Sequence, residues 1–516
     1  MNVEDLYWFA FTIVTIVGFF TFKLITKHRH VFTARGVAFE KPHFLYGNQN
    51  DVLNQKVSSL VNVEHLYRKF HNERIFGFFN YLSPIFYIRE PELIDKLWVH
   101  QFSHFSNHGY FLDESKDTIL GNQLHLLKGD KWCQMRALLS PAFETRNVAM
   151  MCSLIRTNSL DLVDYLATVV NSELDSKDFF QKHTFNVIAS CAFGLEVNYF
   201  NNDRDKFCEV GSSLVFGQNP MQAIKTMLFY LFPRLMGKMG IRLMEEGDVK
   251  YFLGVLRSTS QQREDSNAKR CNMIQFLNRI QNGELETGEN DPEVVQMLGF
   301  AERKWTDEEL IAQSVSFFGN GFESVVNLLS FAAYELTANP EVQEKLFAEI
   351  QTTLGDVPLT YESVSKMTYL DMVINETLRK WPAMPTLDRE CSRDYDLNEG
   401  DYRLQFRKGD SVWVSTWALH RDEKYFPEPE RFDPERFNVE NKLKIIPHTY
   451  LPFGVGPRNC IGIQFALLVA KITLIDVLRN FQLRPGDSFT QNLTLAKGSF
   501  SLEPEAKGFC LQLCTR

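Results

Sequence analysis

Several common signals are missing from this sequence. No long run of lysine or arginine occurs and the net charge is −9, which argues against nucleic acid as a partner. The nine cysteines form no Cys-x-x-Cys pair and no regular series, which favours a reducing compartment. No Gly-x-Gly-x-x-Gly follows a predicted strand, so the chain is not expected to bind a dinucleotide itself. Its 44 phenylalanines indicate a large apolar core and leave an apolar pocket open as a second interpretation.

The most informative segment is residues 453–462, FGVGPRNCIG. Gly454 and Gly456 permit unusual backbone dihedral angles and leave no side chain in the way of a flat group. Pro457 stiffens the turn that leads to Cys460. The apolar run that follows is typical of a helix, whose free N–H groups would stabilise a thiolate. A buried structural cysteine is the alternative, but the residue types at these offsets favour a metal ligand.

This segment resembles the haem-binding loop of the cytochrome P-450 monooxygenases, Phe-Gly-x-Gly-x-Arg-x-Cys-x-Gly, at every fixed position. The resemblance implies a mainly α fold with small β-sheets, built as one large helical domain. It also implies haem b (iron protoporphyrin IX) held by Cys460 as the axial thiolate. The cofactor-binding positions that it assigns in this loop are Phe453, Gly454, Gly456, Arg458 and Gly462.

Two further segments supply partners for the haem propionates. Trp132 and Arg136 are four residues apart and share a helix face, and an indole N–H and a guanidinium both suit a carboxylate. A core tryptophan beside a surface arginine is the alternative reading of that pair. The resemblance places Arg389 at another propionate-binding position.

A charged pair lies in the predicted helix that precedes Arg389. Glu376 and Arg379 are three residues apart and can pair on any solvated helix. The resemblance implies that both lock to Arg436 in a buried structural network. Removing one partner from such a network is expected to cost several kcal/mol, because the remaining charges stay buried.

The dioxygen site departs from the family pattern. The family has a small residue, glycine, any residue, an acid and threonine, whereas this chain has Asn320, Gly321, Phe322, Glu323 and Ser324. The resemblance makes Gly321 the space for dioxygen, and Glu323 with Ser324 a proton relay. Serine keeps the hydroxyl of threonine but loses the methyl group that restricts its rotamer, so a leakier relay is expected.

Two predictions concern the elements around this site. A capping box of Thr306 and Glu309 opens a long helix that Asn339-Pro340 ends, which is roughly the length that crosses a whole domain. Residues 402–406 and 411–414 flank Lys408-Gly409-Asp410, as in a β-hairpin.

Five residues are candidates for the substrate pocket by the resemblance. Each could equally belong to the core. They are Tyr110, Phe111, Phe317, Met384 and Leu387.

The N-terminus predicts a membrane anchor. Residues 6–22 are almost continuously apolar, at the short end of a span of about 20 residues. Positive charge follows this run, which puts the body of the protein on the cytoplasmic side and disfavours a cleaved signal peptide. We therefore expect an anchor at residues 1–30 and a haem domain at residues 31–516. The resemblance implies the endoplasmic reticulum membrane.

The predicted function is insertion of one oxygen atom from O2 into a lipophilic substrate. The resemblance, closest in character to insect microsomal members that metabolise xenobiotics, implies NADPH–cytochrome P-450 reductase as electron donor and cytochrome b5 as a second candidate. Detoxification and hormone or lipid metabolism both remain open. The alternatives are a haem-thiolate isomerase or dehydratase that needs no reductase, and a catalytically degenerate haem- or ligand-binding member.

Overall fold

The protein is described here by a computed structural model. It describes residues 28–109, 117–201, 246–264, 305–355, 357–505 and 508–516, with isolated positions between these ranges. None of the helices in these ranges is long and apolar enough to cross a membrane. The predicted anchor at residues 6–22 lies outside the described residues except for Thr15.

Helices make up most of the described chain. The α-helices are α1 (Val31–Ala34), α2 (Asn50–Leu53), α3 (Ser59–Lys69), α4 (Pro91–Asp95), α5 (Gly129–Leu139), α6 (Thr145–Thr168), α7 (Ser176–Ile188), α8 (Glu246–Glu264), α9 (Asp307–Ala338), α10 (Pro340–Leu354), α11 (Tyr361–Ser365), α12 (Thr368–Lys380), α13 (Thr416–Leu419), α14 (Val439–Lys442) and α15 (Ile463–Asn480). Short π-helical turns extend α4 and α7, at Lys96–His100 and Ala189–Phe193, and short 3₁₀ turns lie at Phe102–His104, Ser140–Phe143, Pro434–Phe437 and Gly456–Arg458.

Three small sheets accompany the helices. The strands are β1 (Ile75–Asn80), β2 (Ser83–Ile88), β3 (Glu173–Asp175), β4 (Thr386–Glu390), β5 (Tyr395–Glu399), β6 (Tyr402–Phe406), β7 (Ser411–Ser415), β8 (Phe481–Pro485) and β9 (Cys510–Thr515). They form the sheets β1-β2-β7-β4, β3-β9-β8 and β5-β6. Within them β2 and β7 are parallel and the other pairs are antiparallel.

The long helix α9 begins and ends where the sequence predicts. The Thr306 side chain accepts a hydrogen bond from the backbone N–H of Glu309, and the Glu309 carboxylate accepts one from the backbone N–H of Thr306, which completes the capping box. Pro340 ends it and opens α10. The helix packs against α7, α12 and α15, so it passes through the main core.

The predicted hairpin at residues 402–414 is wrong in its pairing. Both strands exist, but β6 pairs with β5 while β7 pairs with β2 and β4. The turn at Asp410 therefore joins two separate sheets. Its carboxylate accepts a hydrogen bond from the backbone N–H of Arg407 and forms an ion pair with Arg35, and these contacts hold the connection.

The segment before α15 packs against the Lys96–His100 turn through a close contact between the two backbones. Gly454 and Gly456 both have positive φ, at +73° and +71°. A Cβ atom at Gly456 would lie 2.5 Å from the carbonyl oxygen of Trp98, whereas one at Gly454 would meet nothing nearer than the Cα of Asn459 at 3.8 Å. Only glycine therefore lets the Cys460 segment rest on the Lys96–His100 turn.

Substitution of the two glycines tests whether this backbone contact holds the segment in place. Gly454→Ala is expected to lower the free energy of unfolding by about 1 kcal/mol, since it adds only the strain of a left-handed conformation. Gly456→Ala is expected to cost about 3 kcal/mol, because the backbone contact with Trp98 must also open. Urea unfolding midpoints of the two variants measure the difference. Equal losses would show that the contact with Trp98 does not hold the segment.

Candidate functional site

The Cys460 thiol is held in place by the backbone around it. The backbone N–H of Cys460 donates to the carbonyl of Phe453 at 2.9 Å, which closes the loop. Helix α15 begins at Ile463 with Gly462 as its N-cap, so Cys460 lies just before the helix N-terminus. Burial raises the pKa of the Cys460 thiol, while a hydrogen bond from the backbone of Gly462 and the charge of Arg136 lower it. The last two influences favour the thiolate that a metal would need.

Cys460 is solvent-accessible although protein atoms surround and desolvate it. A side chain with both properties faces an internal space. Helix α9 has a matching feature, since Gly319, Asn320 and Glu323 are exposed in the middle of an otherwise largely buried helix. The ring of Phe317 lies 5.0 Å from that of Phe465 on α15, which brings this part of α9 close to the cysteine segment. A flat, bulky cofactor fits a space with these walls.

Three of the predicted propionate ligands form a buried positive cluster. Arg389 and Arg458 are 2% and 8% exposed, and Arg136 is half-buried. Burial lowers the pKa of Arg389 to about 10 and that of Arg458 to about 9, and the charges of Arg389 and Arg136 lower the latter further. The ring of Trp132 lies under Arg458, with the guanidinium carbon 4.0 Å from the ring centroid. The structure thus brings all four predicted residues together.

The hydrogen bonds of this cluster leave its charge unneutralised. Arg458 donates to backbone carbonyls, including Ser106 at 2.8 Å and Leu127 at 2.7 Å. Arg136 donates to the backbone and side-chain oxygens of Asn459, both at 2.8 Å. Within the described ranges none of the three guanidinium groups has a carboxylate within ion-pair distance. The nearby carboxylate of Asp388, whose charge acts on Arg389 and Arg458, accepts hydrogen bonds from His108 and from the backbone N–H of Gly109. The buried Nε of Arg389 has no partner. The cluster fits a ligand that carries two carboxylates, as haem does.

The predicted structural network also assembles, with one difference. Arg379 and Glu376 are fully buried and form a two-pronged ion pair at 2.8 and 2.9 Å. Arg379 also donates to the carbonyls of His420 and Pro429. Arg436 reaches Glu376 only as an ion pair at 3.5 Å, and its Nη2 donates to the carbonyl of Glu428. Arg436 is therefore a peripheral member of the network.

One turn of α9 carries the predicted dioxygen residues. The Ser324 hydroxyl donates to the carbonyl of Asn320 at 2.7 Å. Glu323 is exposed, and no hydrogen bond to its side chain occurs in the described part of the chain. A Cβ atom at Gly321 would lie 3.6 Å from the side chain of Ile188, in ordinary contact. The acid and the hydroxyl therefore border accessible space, while Gly321 also packs against α7.

His125 belongs to this site but was missed from the sequence. Its Nδ1 lies 3.2 Å from the side-chain nitrogen of Asn320, although 195 positions separate the two residues. The only local signal is a histidine within the apolar run 124–127, shortly before Trp132. A lone histidine in such a run is usually a core residue, so the sequence offered no reason to select it.

The predicted substrate residues lie in different surroundings. Phe317 packs against Phe143 and Phe465, with ring centroids 5.4 and 5.0 Å away, so core packing accounts for much of its surface. Met384 is 56% exposed, and Leu387 is half-buried in β4. Tyr110 and Phe111 lie outside the described residues.

Comparison with known proteins identifies the family of the chain. The cytochrome P-450 family model matches residues 38–511. Cytochrome P-450 9b2 of Drosophila melanogaster is 35% identical over 98% of both chains. Cytochrome P-450 9e2 of Blattella germanica is 33% identical over 99% of both. Cytochrome P-450 6l1 of the same organism is 29% identical over 95% of this chain and 93% of its own.

These matches extend over almost the whole chain, so they show its fold and its reaction class. They agree with the helix-rich architecture, the small sheets and the cysteine segment described above. Family membership also implies haem with cysteine thiolate ligation. The chain belongs to the cytochrome P-450 family and is a monooxygenase-type oxidoreductase.

Proposed function

We propose that this protein is a haem-thiolate monooxygenase with Cys460 as the iron ligand, acting on lipophilic substrates with electrons from NADPH. A separate cytochrome P-450 reductase would deliver the electrons, with cytochrome b5 as a second donor. We further propose an anchor at residues 1–30 and a haem domain at residues 31–516, on the cytoplasmic face of the endoplasmic reticulum. The role we propose is xenobiotic metabolism, on the resemblance to insect microsomal members of the family, and hormone or lipid metabolism is the alternative.

The observation that carries the proposal is the pairing of a desolvated, accessible thiol with an arginine cluster that forms no ion pair with a carboxylate in the described part of the chain. Arg136, Arg389 and Arg458 would bind the propionates of haem, and Trp132 would support Arg458. Phe453, Gly454, Gly456 and Gly462 would shape the loop that faces the porphyrin. When bound, haem supplies the reduction and activation of dioxygen.

The chain's own residues would control protons on the other side of the cofactor. The carboxylate of Glu323 is exposed and can take protons from solvent. The Ser324 oxygen retains lone pairs that can accept such a proton while its own proton turns from the Asn320 carbonyl towards the cavity. Gly321 leaves this turn without a side chain in the way. Glu323 and Ser324 together therefore form a relay of one acid and one hydroxyl.

The decisive test is NADPH- and reductase-dependent turnover of model lipophilic substrates by the full-length protein. We expect product formation to require NADPH and the reductase. Turnover without NADPH would favour the isomerase or dehydratase. Carbon monoxide binding to the reduced protein, with no turnover of any substrate, would favour a degenerate member.

The variant Cys460→Ala tests whether Cys460 is the iron ligand. We expect the variant to lose the ferrous–CO absorption band that is diagnostic of thiolate ligation, because alanine cannot bind the iron. Cys514→Ala on β9 is the matched control and should keep the band. A band that persists in Cys460→Ala would remove Cys460 from the ligand role.

The serine of the relay makes a separate prediction. Ser324→Thr is expected to raise the ratio of product to NADPH consumed by about two- to fivefold, since the added methyl restricts a rotamer whose freedom is worth ~0.5–1 kcal/mol. Ser324→Ala should lower the ratio and raise peroxide release. Thr337→Ser is a control in the same helix, because Thr337 makes the same hydrogen bond one turn back, to the Ala333 carbonyl. Unchanged peroxide release in Ser324→Thr would contradict this account of the serine.

A further inference from the structure

The contact between His125 and Asn320 joins two parts of the chain across the accessible face of α9. His125 lies in the segment between the Phe102–His104 turn and α5, and Asn320 lies in the middle of α9. Asn320 is exposed between two glycines, and His125 is half-buried between two leucines. A polar pair in such a place is costly unless its remaining hydrogen-bonding groups find partners.

The amide nitrogen of Asn320 is fully used within the protein. It lies 3.2 Å from Nδ1 of His125 and 3.0 Å from the hydroxyl of Ser316, which accounts for both of its hydrogens. The amide oxygen of Asn320 and Nε2 of His125 make no hydrogen bond in the described part of the chain. Nε2 of His125 is not among the buried unpartnered atoms, and Asn320 is an exposed residue. Both atoms are therefore available to a ligand.

The imidazole of His125 is neutral at physiological pH. Burial lowers the pKa of His125 to about 4, and the charges of His108 and Arg458 lower it further, while Asp388 acts in the opposite direction. A neutral imidazole has one N–H and one lone pair. Because Nδ1 accepts from Asn320, Nε2 carries the hydrogen.

The pair offers one donor and one acceptor in either orientation of the amide. As placed, Nε2–H of His125 donates and the Asn320 oxygen accepts. If the amide is turned over, the Asn320 nitrogen donates and Nε2 accepts. A ligand group that satisfies both side chains must donate one hydrogen bond and accept another at the same atom. A hydroxyl group does so, whereas an ether only accepts and a hydrocarbon does neither.

We propose that His125 and Asn320 form a specificity pair that selects lipophilic substrates bearing a hydroxyl group. This inference rests on the proposed function, since the pair would border the substrate space of the monooxygenase. The carbonyl of Asn320 accepts from Ser324, so a hydroxyl on the Asn320 side chain lies within one helical turn of the relay. The pair therefore both selects the substrate and sets where it sits along α9.

The test uses three ligands that differ at one group: a terpenoid alcohol, its methyl ether and the parent hydrocarbon. Binding to the full-length haem-loaded protein is followed by the ligand-induced change in haem absorption. We expect the alcohol to bind about tenfold tighter than the ether, as two hydrogen bonds to an accessible pair allow. Asn320→Ala and His125→Phe should each reduce this ratio to about twofold or less.

The substitutions are conservative in size or shape, so we expect each variant to fold. Asn320→Ala places a small residue where the family pattern has one. His125→Phe keeps a planar ring in the apolar run. His100→Phe, at a side chain that is 69% exposed and pairs with Asp95, is the control and should keep the full preference. The double variant should lose no more than either single variant, because the two side chains act as a unit.

Three outcomes would overturn the inference. The natural protein could show no preference for the alcohol, or the preference could survive in both variants. His125→Phe could also lose haem without changing the ligand order, which would assign His125 to the propionates. The ferrous–CO band and reductase-dependent turnover of the hydrocarbon, measured on the natural protein, report the proposed function separately. If these hold while the alcohol preference is absent, only the specificity pair fails.

Discussion

Two buried guanidinium groups and a half-buried third lie close together, and none of them forms an ion pair with a carboxylate in the described structure. They come from α5, from β4 and from the segment before α15, so helix, sheet and loop must all be in place to gather them. Each buried charge carries a large desolvation cost, which their hydrogen bonds to backbone carbonyls and an amide offset only in part. A bound dicarboxylate would remove this cost. The same charges therefore bear on the stability of the fold and on the proposed binding of haem.

The second set of buried charges behaves in the opposite way. Arg379 has its carboxylate partner in Glu376 and further carbonyl partners at His420 and Pro429. This group is complete without a ligand, and it ties α12 to the segment that leads towards Cys460. Arg379 thus serves the architecture, while Arg136, Arg389 and Arg458 are suited to bind an anion. The partners distinguish the two sets, since Arg379 pairs with a carboxylate while Arg389 and Arg458, which are also buried, do not.

The face of α9 is where this chain differs from its family pattern. Asn320 takes the place of a small residue and contacts His125, and Ser324 takes the place of threonine. Both changes bear on one turn of helix, since the Ser324 hydroxyl donates to the Asn320 carbonyl. An added side chain at position 320 therefore lies on the same helical turn as the proposed relay. The cysteine side of the site, by contrast, follows the pattern at each position.

The sequence by itself determined the features that depend on residues close together in the chain. These are the capping box of α9, the positive-φ turn before Cys460 and the Glu376–Arg379 pair, because backbone sterics and helix periodicity act over a few residues. Tertiary structure alone decided which strands pair: β6 pairs with β5, its neighbour in the sequence, whereas β7 lies between β4 and the distant strand β2. It also decided the peripheral place of Arg436 and the meeting of His125 with Asn320. Such contacts follow from how whole elements pack, and no local spacing encodes that packing.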